Sequence, residues 1–122
     1  MINKETFKLS IIIPCFNEKK TIEKILEKIY QSLNSYKILQ YEIIIVDDCS
    51  SDGTIEILKN LINTEKIKIY FHGVNSGKGA AINTALGYVT GDITIIQDAD
   101  LEYDPLDYDK LLRPFFEANA DI

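Results

Sequence analysis

The stretch GDITIIQDADLEYDPLDYD at residues 91–109 decides how the rest of the chain is interpreted. It begins with four β-branched residues at 93–96, which predict a strand buried on both faces, and then turns acidic. Asp98 and Asp100 follow that strand at i, i+2 spacing, so both carboxylates lie on the same side of an extended chain. Carboxylates this close repel each other unless a cation or a shared proton intervenes. The pair therefore predicts a bound divalent ion.

The same acids also have a simpler interpretation. Acidic residues after a strand are commonly solvated loop residues or helix N-caps, and Asp104-Pro105 before an apolar run is typical of a helix start. The acidic motif alone therefore leaves both interpretations open.

Length and charge limit the kind of protein. At 122 residues we expect one domain, and 46% hydrophobic residues are typical of a globular chain. The net charge of −6 argues against nucleic acid as a partner, since no basic stripe is present to neutralise phosphates. An anionic substrate would have to be met by a metal or by backbone N–H groups.

Localisation follows from what the sequence lacks. It contains no apolar run of 18 residues and no signal-peptide pattern, and its two cysteines, Cys15 and Cys49, have no CxxC spacing. We therefore expect a cytoplasmic protein with reduced, half-buried thiols, a disulfide being the alternative. The single histidine, His72, lacks clustered partners, so we expect a structural or surface role for it.

Four apolar runs alternate with four helical patterns. The runs at 9–13, 41–46, 66–71 and 93–96 predict strands, and the patterns at about 22–33, 55–62, 80–89 and 106–119 predict helices. We expect Asn17 and Asp52 to cap the first two helices. This order predicts an α/β fold with a mainly parallel four-stranded sheet and helices on both faces. Ligands of such sheets bind beyond the carboxyl ends of the strands, near the point where strand order reverses.

A glycine-rich loop at residues 73–79 precedes the third helix. It is not a Walker A loop, because Gly79 stands where Ser or Thr is required, and it is not a dinucleotide fingerprint, because Ile82 stands where glycine is required. Gly77 and Gly79 could allow the backbone to approach a ligand, or could simply form a turn and helix start. Lys78 is the only cation in the loop and is a candidate ligand contact.

Four motifs occur in an order that resembles a known family. They are SIIIPCFNE at 10–18, EIIIVDDCSSDGT at 42–54, NSGKGAAINTALGYVTGD at 75–92 and DADLEYDP at 98–105. Together they resemble the nucleotide-sugar half of an inverting family 2 glycosyltransferase with the Rossmann-like GT-A fold. The most similar branch comprises the dolichol-phosphate mannosyltransferase-like and polyprenyl-phosphate glycosyltransferases.

The resemblance implies roles for residues after the first two strands. Pro14, Asn17, Glu18 and Asp48 would line the pocket for the base and ribose, with Asp47 supporting Asp48. The donor would be a nucleotide sugar of the GDP-mannose or UDP-glucose type.

The resemblance also implies a catalytic and metal-binding pair. Asp98 and Asp100 would form the DxD element, with Asp100 a direct ligand of Mg²⁺ or Mn²⁺ and Asp98 facing the ribose or the water shell of the metal. Ala99 would lie against the sugar nucleotide. The candidate ligand contact of Lys78, which rests on its place in the glycine-rich loop, would be to the same molecule. The metal would neutralise the diphosphate leaving group. A lysine paired into the place of the ion would contradict this assignment.

Two features depart from the family pattern. The branch usually carries an arginine near Ile82 or Asn83, and the chain stops at Ile122, where the family continues into an acceptor half. We therefore expect residues 1–122 to be a single nucleotide-sugar-binding domain truncated at its C-terminus, which could lack turnover and could self-associate through an exposed sheet edge. A polyprenyl-phosphate acceptor would engage the missing half, and the full-length parent would lie at the cytoplasmic face of a membrane.

Two other function classes stay open. A receiver-like signalling domain has this length, a doubly wound sheet and an acidic Mg²⁺-binding pocket, although its paired aspartates would follow the first strand. An inactive nucleotide-binding module is the second alternative.

Overall fold

The computed structural model describes residues 6–61, 66–99 and 112. Seven elements follow one another in these residues: β1 (Leu9–Cys15), α1 (Ile22–Ser35), β2 (Tyr41–Asp47), α2 (Thr54–Lys59), β3 (Ile67–Phe71), α3 (Lys78–Leu86) and β4 (Ile93–Ile96). Of the helix predicted at 106–119 only Leu112 is described, and it is helical and buried. Asp100 lies outside the described residues.

The strands form one parallel sheet in the order β3-β2-β1-β4. Ile11 of β1 is in register with Ile43 of β2 on one side and with Ile95 of β4 on the other. The chain therefore adds β2 and β3 on one side of β1 and then crosses to the other side to form β4. Strand order reverses between β1 and β4, where the fold leaves a crevice at the carboxyl ends.

Helices cover both faces of this sheet. Successive strand residues point to opposite faces, so Ile11 and Ile13 pack with Ile25 of α1 while Ile12 packs with Ala81 of α3. The small residues of α3 let that helix lie close to the sheet. The α/β fold with a parallel four-stranded sheet, as predicted, is confirmed. A receiver-like order would place β1 beside β3, and here β1 lies between β2 and β4.

The strand β4 is not buried on both faces, and that prediction was wrong. Ile93 and Ile95 are buried, whereas Thr94 and Ile96 are exposed. In the described part of the chain α3 packs on β1 and β2, so it does not cover this face of β4.

Two predicted helix caps also differ from the structure. α1 begins after Thr21 with no side-chain cap, while Asn17, at φ 52°, accepts a hydrogen bond on Oδ1 from Ser51 N at 2.8 Å. Gly53 is the N-cap of α2, and Asp52 instead accepts a hydrogen bond from Thr54 N at 3.0 Å. Asn17 therefore ties the loop after β1 to the loop after β2.

A buried carboxylate braces the end of the sheet opposite the crevice. Glu42 accepts hydrogen bonds from Ser10 Oγ at 2.6 Å, Thr90 N at 2.6 Å and Lys68 Nζ at 3.1 Å. Burial alone would raise the pKa of Glu42, but these bonds outweigh it and lower the pKa to about 2. Gly91 N donates to Ser10 Oγ at 2.9 Å beside this group, so the segment before β4 is held against β1. Among the described residues, no helix is both long and apolar enough to span a bilayer.

Candidate functional site

A cavity of about 410 Å³ opens at the carboxyl ends of the strands, at the reversal point between β1 and β4. Its walls come from the ends of β1, β2 and β4 and from the start of α3. The lining residues are Pro14, Cys15, Phe16, Glu18, Asp48, Asn75, Gly77, Lys78, Ala81, Asp98 and Ala99. Six of the nine predicted site residues, Pro14, Glu18, Asp48, Lys78, Asp98 and Ala99, therefore border one space.

Asp48 is the most heavily hydrogen-bonded of these residues. Its Oδ1 accepts from Ser76 N at 2.8 Å and its Oδ2 from Gly77 N at 2.8 Å. Oδ1 also lies 2.8 Å from His72 Nδ1. Burial would raise the pKa of Asp48, but the bonds from these three groups outweigh burial and hold the pKa below its ordinary value. Asp48 is therefore ionised at neutral pH.

His72 joins this carboxylate to α3. Because ionised Asp48 can only accept, Nδ1 of His72 carries the shared proton, and Nε2 lies 2.8 Å from Thr84 Oγ1. The side chain of His72 is 17% exposed. The predicted structural role for His72 matches this geometry, but its contact with a cavity residue was not foreseen.

The glycine-rich loop holds a carboxylate of the protein itself. The backbone N–H groups of Ser76 and Gly77 both bind Asp48. Gly77 has φ 99°, a left-handed conformation that side chains rarely adopt. These two donors are thus already used. The loop does form a turn and helix start, and an approach of its remaining backbone to a ligand stays a prediction.

Asp47 and Asn17 support the neighbouring loops. Asp47 is fully buried, and its carboxylate accepts from Ser50 N at 2.9 Å and from Ser50 Oγ at 2.5 Å. Ser50 Oγ in turn accepts from Asn17 N at 2.8 Å. Neither Asp47 nor Asn17 is among the residues that line the cavity. Asp47 therefore fixes the turn directly after β2 through Ser50, and its predicted support of Asp48 stays a prediction.

Thr21 connects the two sides of the crevice. Its Oγ1 lies 2.9 Å from Glu18 Oε2 and 2.5 Å from the backbone oxygen of Ala99. This hydroxyl therefore links the loop after β1 to the segment after β4. Threonine at a helix start gives no sequence signal for such a contact, and Thr21 was not predicted.

Lys78 forms an ion pair with Oδ1 of Asp98. The side chain of Asp98 is 11% exposed and that of Lys78 is 59% exposed, so the lysine approaches the carboxylate from the solvent side. An ammonium group thus stands where a cation was predicted. Asp100, the other half of the predicted pair, lies outside the described residues.

The residues present fit a divalent cation only in part. Carboxylate oxygen is the ligand type that Mg²⁺ and Mn²⁺ prefer, and Asp98 already attracts a positive charge. Over 6–61, 66–99 and 112, however, no three acidic, histidine or cysteine side chains cluster closely enough to hold an ion. Asp100, to which the resemblance assigns the direct metal contact, lies outside these residues.

Phe16, Asn75 and Cys15 complete the cavity wall. Phe16 is 43% exposed beside the cavity, and Asn75 lines the same space. Burial first, and the charge of Asp47 second, raise the pKa of the Cys15 thiol far above its ordinary value. Cys15 and Cys49 are both free thiols, as predicted, but only Cys49 is half-buried, because Cys15 ends a strand that is buried on both faces.

A family comparison matches nearly the whole chain. A sequence model of the family described as glycosyl transferase family 2 matches residues 10–122. These residues include all four motifs on which the resemblance rested.

Individual relatives point the same way. The chain is 32% identical over 106 residues to a dolichol-phosphate mannosyltransferase of Pyrococcus furiosus, a match that covers 87% of this chain and 29% of that protein. It is 33% identical over 108 residues to an undecaprenyl-phosphate 4-deoxy-4-formamido-L-arabinose transferase of Proteus mirabilis, covering 86% of this chain and 32% of that protein. The chain therefore spans about a third of the length of these relatives.

A solved structure shares the fold. The mannosyltransferase PcManGT from Pyrobaculum calidifontis, in complex with GDP-Man and Mn²⁺, superposes with a TM-score of 0.70 at 31% identity, covering 84% of this chain and 31% of that one. The predicted Rossmann-like GT-A half is thereby confirmed.

The ion pair at Asp98 does not weigh against the family. We expected a lysine in this place to contradict the transferase assignment, and the match over residues 10–122 shows that expectation to be wrong. Lys78 is an exposed, flexible side chain, and pairing with it gives an acidic cavity a counter-charge without fixing what else can bind there. By its motifs, its fold and the family match, the chain belongs to glycosyl transferase family 2.

Proposed function

We propose that this chain is the donor-binding domain of an inverting glycosyltransferase, which transfers a hexose from a nucleotide sugar to an acceptor. The single observation that carries the proposal is the cavity at the strand-order reversal, where Asp48 and Asp98 from separate strands border one space of about 410 Å³. That position is where open α/β sheets bind nucleotides.

The base and ribose occupy the part of the cavity formed by the loops after β1 and β2. Pro14, Glu18 and Asp48 line it, and Asn17 and Asp47 keep those loops in place through Ser50 and Ser51. Ionised Asp48 accepts a hydrogen bond from the nucleotide.

The diphosphate lies at the other part of the cavity, near Asp98, Ala99 and Lys78. Mg²⁺ or Mn²⁺ would be held by Asp98 and Asp100, and when bound it would offset the charge that develops on the departing diphosphate. Lys78 supplies a second positive charge at the same place. The Mn²⁺ and GDP-Man complex of PcManGT supports a divalent cation in this fold.

The acceptor is a polyprenyl phosphate. The relatives named for dolichol-phosphate and undecaprenyl-phosphate transfer support this class. A phosphate oxygen is already ionised near neutral pH, so the reaction needs no strong general base from this chain. We propose that acceptor residues belong to the parts of the relatives that this chain does not span, and that the parent acts at the cytoplasmic face of a membrane.

Calorimetric titration tests the donor site. GDP-mannose, UDP-glucose and the free diphosphates are each added with and without Mn²⁺. We expect metal-dependent binding of a diphosphate, and we expect Asp98→Asn with Asp100→Asn to abolish it. Glu27→Gln, on the exposed face of α1, is the matched control and should bind as the unmodified chain does. Equal affinity in the presence of a chelator would remove the metal from the proposal, and no binding of any nucleotide would refute the function.

A further inference from the structure

The Asp48 carboxylate is nearly saturated with hydrogen bonds from the protein itself. A carboxylate offers about four acceptor positions, two on each oxygen. Oδ1 is used twice, by His72 Nδ1 and Ser76 N, and Oδ2 is used once, by Gly77 N, all at 2.8 Å. About one acceptor position therefore remains, on Oδ2, and Asp48 borders the cavity.

His72 is the group that fills the last acceptor position on Oδ1 of Asp48. With only the N–H groups of Ser76 and Gly77 bound, each oxygen would keep one open position, and the carboxylate could receive two adjacent donors side by side. His72 takes the second position on Oδ1. Its ring is held from behind by Thr84 on α3, at 2.8 Å from Nε2, so it cannot turn away without losing that contact.

We propose that His72 is a positioning residue that determines base specificity by limiting Asp48 to one donor from the nucleotide. The inference rests on the proposed nucleotide-sugar function and narrows its substrate class. Guanine presents two neighbouring donors, N1–H and the N2 amino group, whereas the uracil edge presents one, N3–H, between two carbonyl oxygens. The remaining position on Asp48 suits the uracil edge, so the donor is a uridine diphosphate sugar.

Asp48 discriminates between uracil and guanine because one hydrogen-bond donor of guanine would have no acceptor. At Asp48 the second donor of guanine would meet an oxygen whose positions are already filled, and a buried donor without a partner weakens binding by about tenfold or more. The side chain of Asp48 is 5% exposed, which leaves little access for water to satisfy that donor instead.

Three free diphosphates test the donor count on the unmodified chain. UDP, GDP and inosine diphosphate are titrated by calorimetry at one fixed Mn²⁺ concentration. Inosine diphosphate has the ring size of GDP but lacks the 2-amino group, so this pair separates donor count from base size. We expect UDP to bind about tenfold more tightly than GDP, and inosine diphosphate at least as tightly as GDP. GDP binding more tightly than either of the others would overturn the inference.

Substitution of His72 tests its part in this preference. His72→Ala opens Oδ1 and should raise the affinity for GDP relative to inosine diphosphate by about threefold or more. His72→Asn places a side-chain N–H close to the position of Nδ1 and should restore the original ratio. A ratio of two affinities is insensitive to a general loss of stability, so an unchanged ratio in His72→Ala would overturn the inference.

A nucleotide analogue tests the inference on the unmodified chain, so the result does not depend on whether a variant folds. N3-methyl-UDP lacks the single donor of uracil, and the unmodified chain should bind it about tenfold more weakly than UDP. Equal binding of the two would overturn the inference even if His72→Ala does not fold. If the unmodified chain binds UDP but the preferences are absent, only the inference fails; if it binds none of the nucleotides, the proposed function fails with it.

Discussion

Gly77 N donates a hydrogen bond to Asp48 Oδ2 at 2.8 Å, across 29 residues of chain. Gly77 forms this bond while its φ is 99°, so a backbone conformation that side chains disfavour occurs at a contact with a cavity carboxylate. The conformation of the glycine-rich loop therefore helps to fix the orientation of the Asp48 carboxylate.

Gly77→Ala should lower both stability and nucleotide affinity. A Cβ meets no atom within 4 Å at this position, so the penalty comes from the backbone conformation and not from a steric clash. We expect a loss of about 1–2 kcal/mol in the free energy of unfolding. Urea denaturation measures the first effect, and UDP titration with Mn²⁺ measures the second.

Gly79 provides a control at which the same substitution should have the opposite effect on stability. It lies inside α3, its Cβ position is also open, and it has no positive φ. Gly79→Ala should therefore stabilise the chain by up to about 1 kcal/mol, because alanine is the better helix residue. Equal effects at positions 77 and 79 would contradict the role given to the Gly77 conformation.

Glu42 should make stability depend on pH in the acid range. Its pKa is lowered to about 2 in the folded chain, from an ordinary 4.5, so the unfolded chain binds the proton more tightly. The stabilisation is complete above about pH 4.5 and is lost as the pH falls towards 2, amounting to about 3 kcal/mol in full.

Glu42→Gln removes this titration. The variant should be less stable by about 2–4 kcal/mol at pH 7, and its deficit should shrink steadily between pH 5 and pH 3 in urea denaturation. Glu27→Gln, on the exposed face of α1, should change stability by less than about 0.5 kcal/mol. A deficit that stays constant with pH would mean that Glu42 acts through packing and not through its charge.

Gly91→Ala should be strongly destabilising for a different reason. A Cβ at this position would lie 2.8 Å from Lys8 O and 2.9 Å from Ser10 N, closer than packed atoms allow. The backbone of the two segments would have to separate, at a cost of about 1–3 kcal/mol, and the bond from Gly91 N to Ser10 Oγ would weaken.

Thermal unfolding measures that cost. Gly73→Ala is the matched control, since a Cβ there meets no atom within 4 Å and φ is not positive. The Gly91 variant should unfold several degrees lower than the Gly73 variant. Similar midpoints would show that the strand ends can move apart freely.

The sequence predicted the sheet and the meeting of its strand ends, because both follow from local pattern. The apolar runs that became β1 and β2 lie buried on both faces, and parallel strands necessarily bring their carboxyl ends to one edge. The sequence pattern therefore places Asp48 and Asp98 at the same edge of the sheet.

The contacts within the site could not be predicted in this way. His72 and Ser76 reach Asp48 from 24 and 28 residues away, and Thr21 reaches Ala99 from 78 residues away. Such bonds depend on loop conformations and side-chain rotamers that no periodicity encodes. The exposure of Ile96 was missed for a related reason, since which helix covers a strand depends on packing and not on the strand residues themselves.

Lys78→Met should change the affinities for Mn²⁺ and for the nucleotide in opposite directions. The ammonium of Lys78 pairs with Oδ1 of Asp98, so its charge opposes a divalent cation that binds this carboxylate. Removing the charge should tighten Mn²⁺ binding without nucleotide by about two- to fivefold, a small effect because Lys78 is 59% exposed and its charge is screened by solvent. The same variant should bind UDP with Mn²⁺ more weakly, because a positive charge near the diphosphate is lost.

Mn²⁺ titration followed by electron paramagnetic resonance measures the first effect and calorimetry the second, with Lys24→Met on the exposed face of α1 as control. If Mn²⁺ affinity falls in Lys78→Met, the lysine supports the ion and does not compete with it.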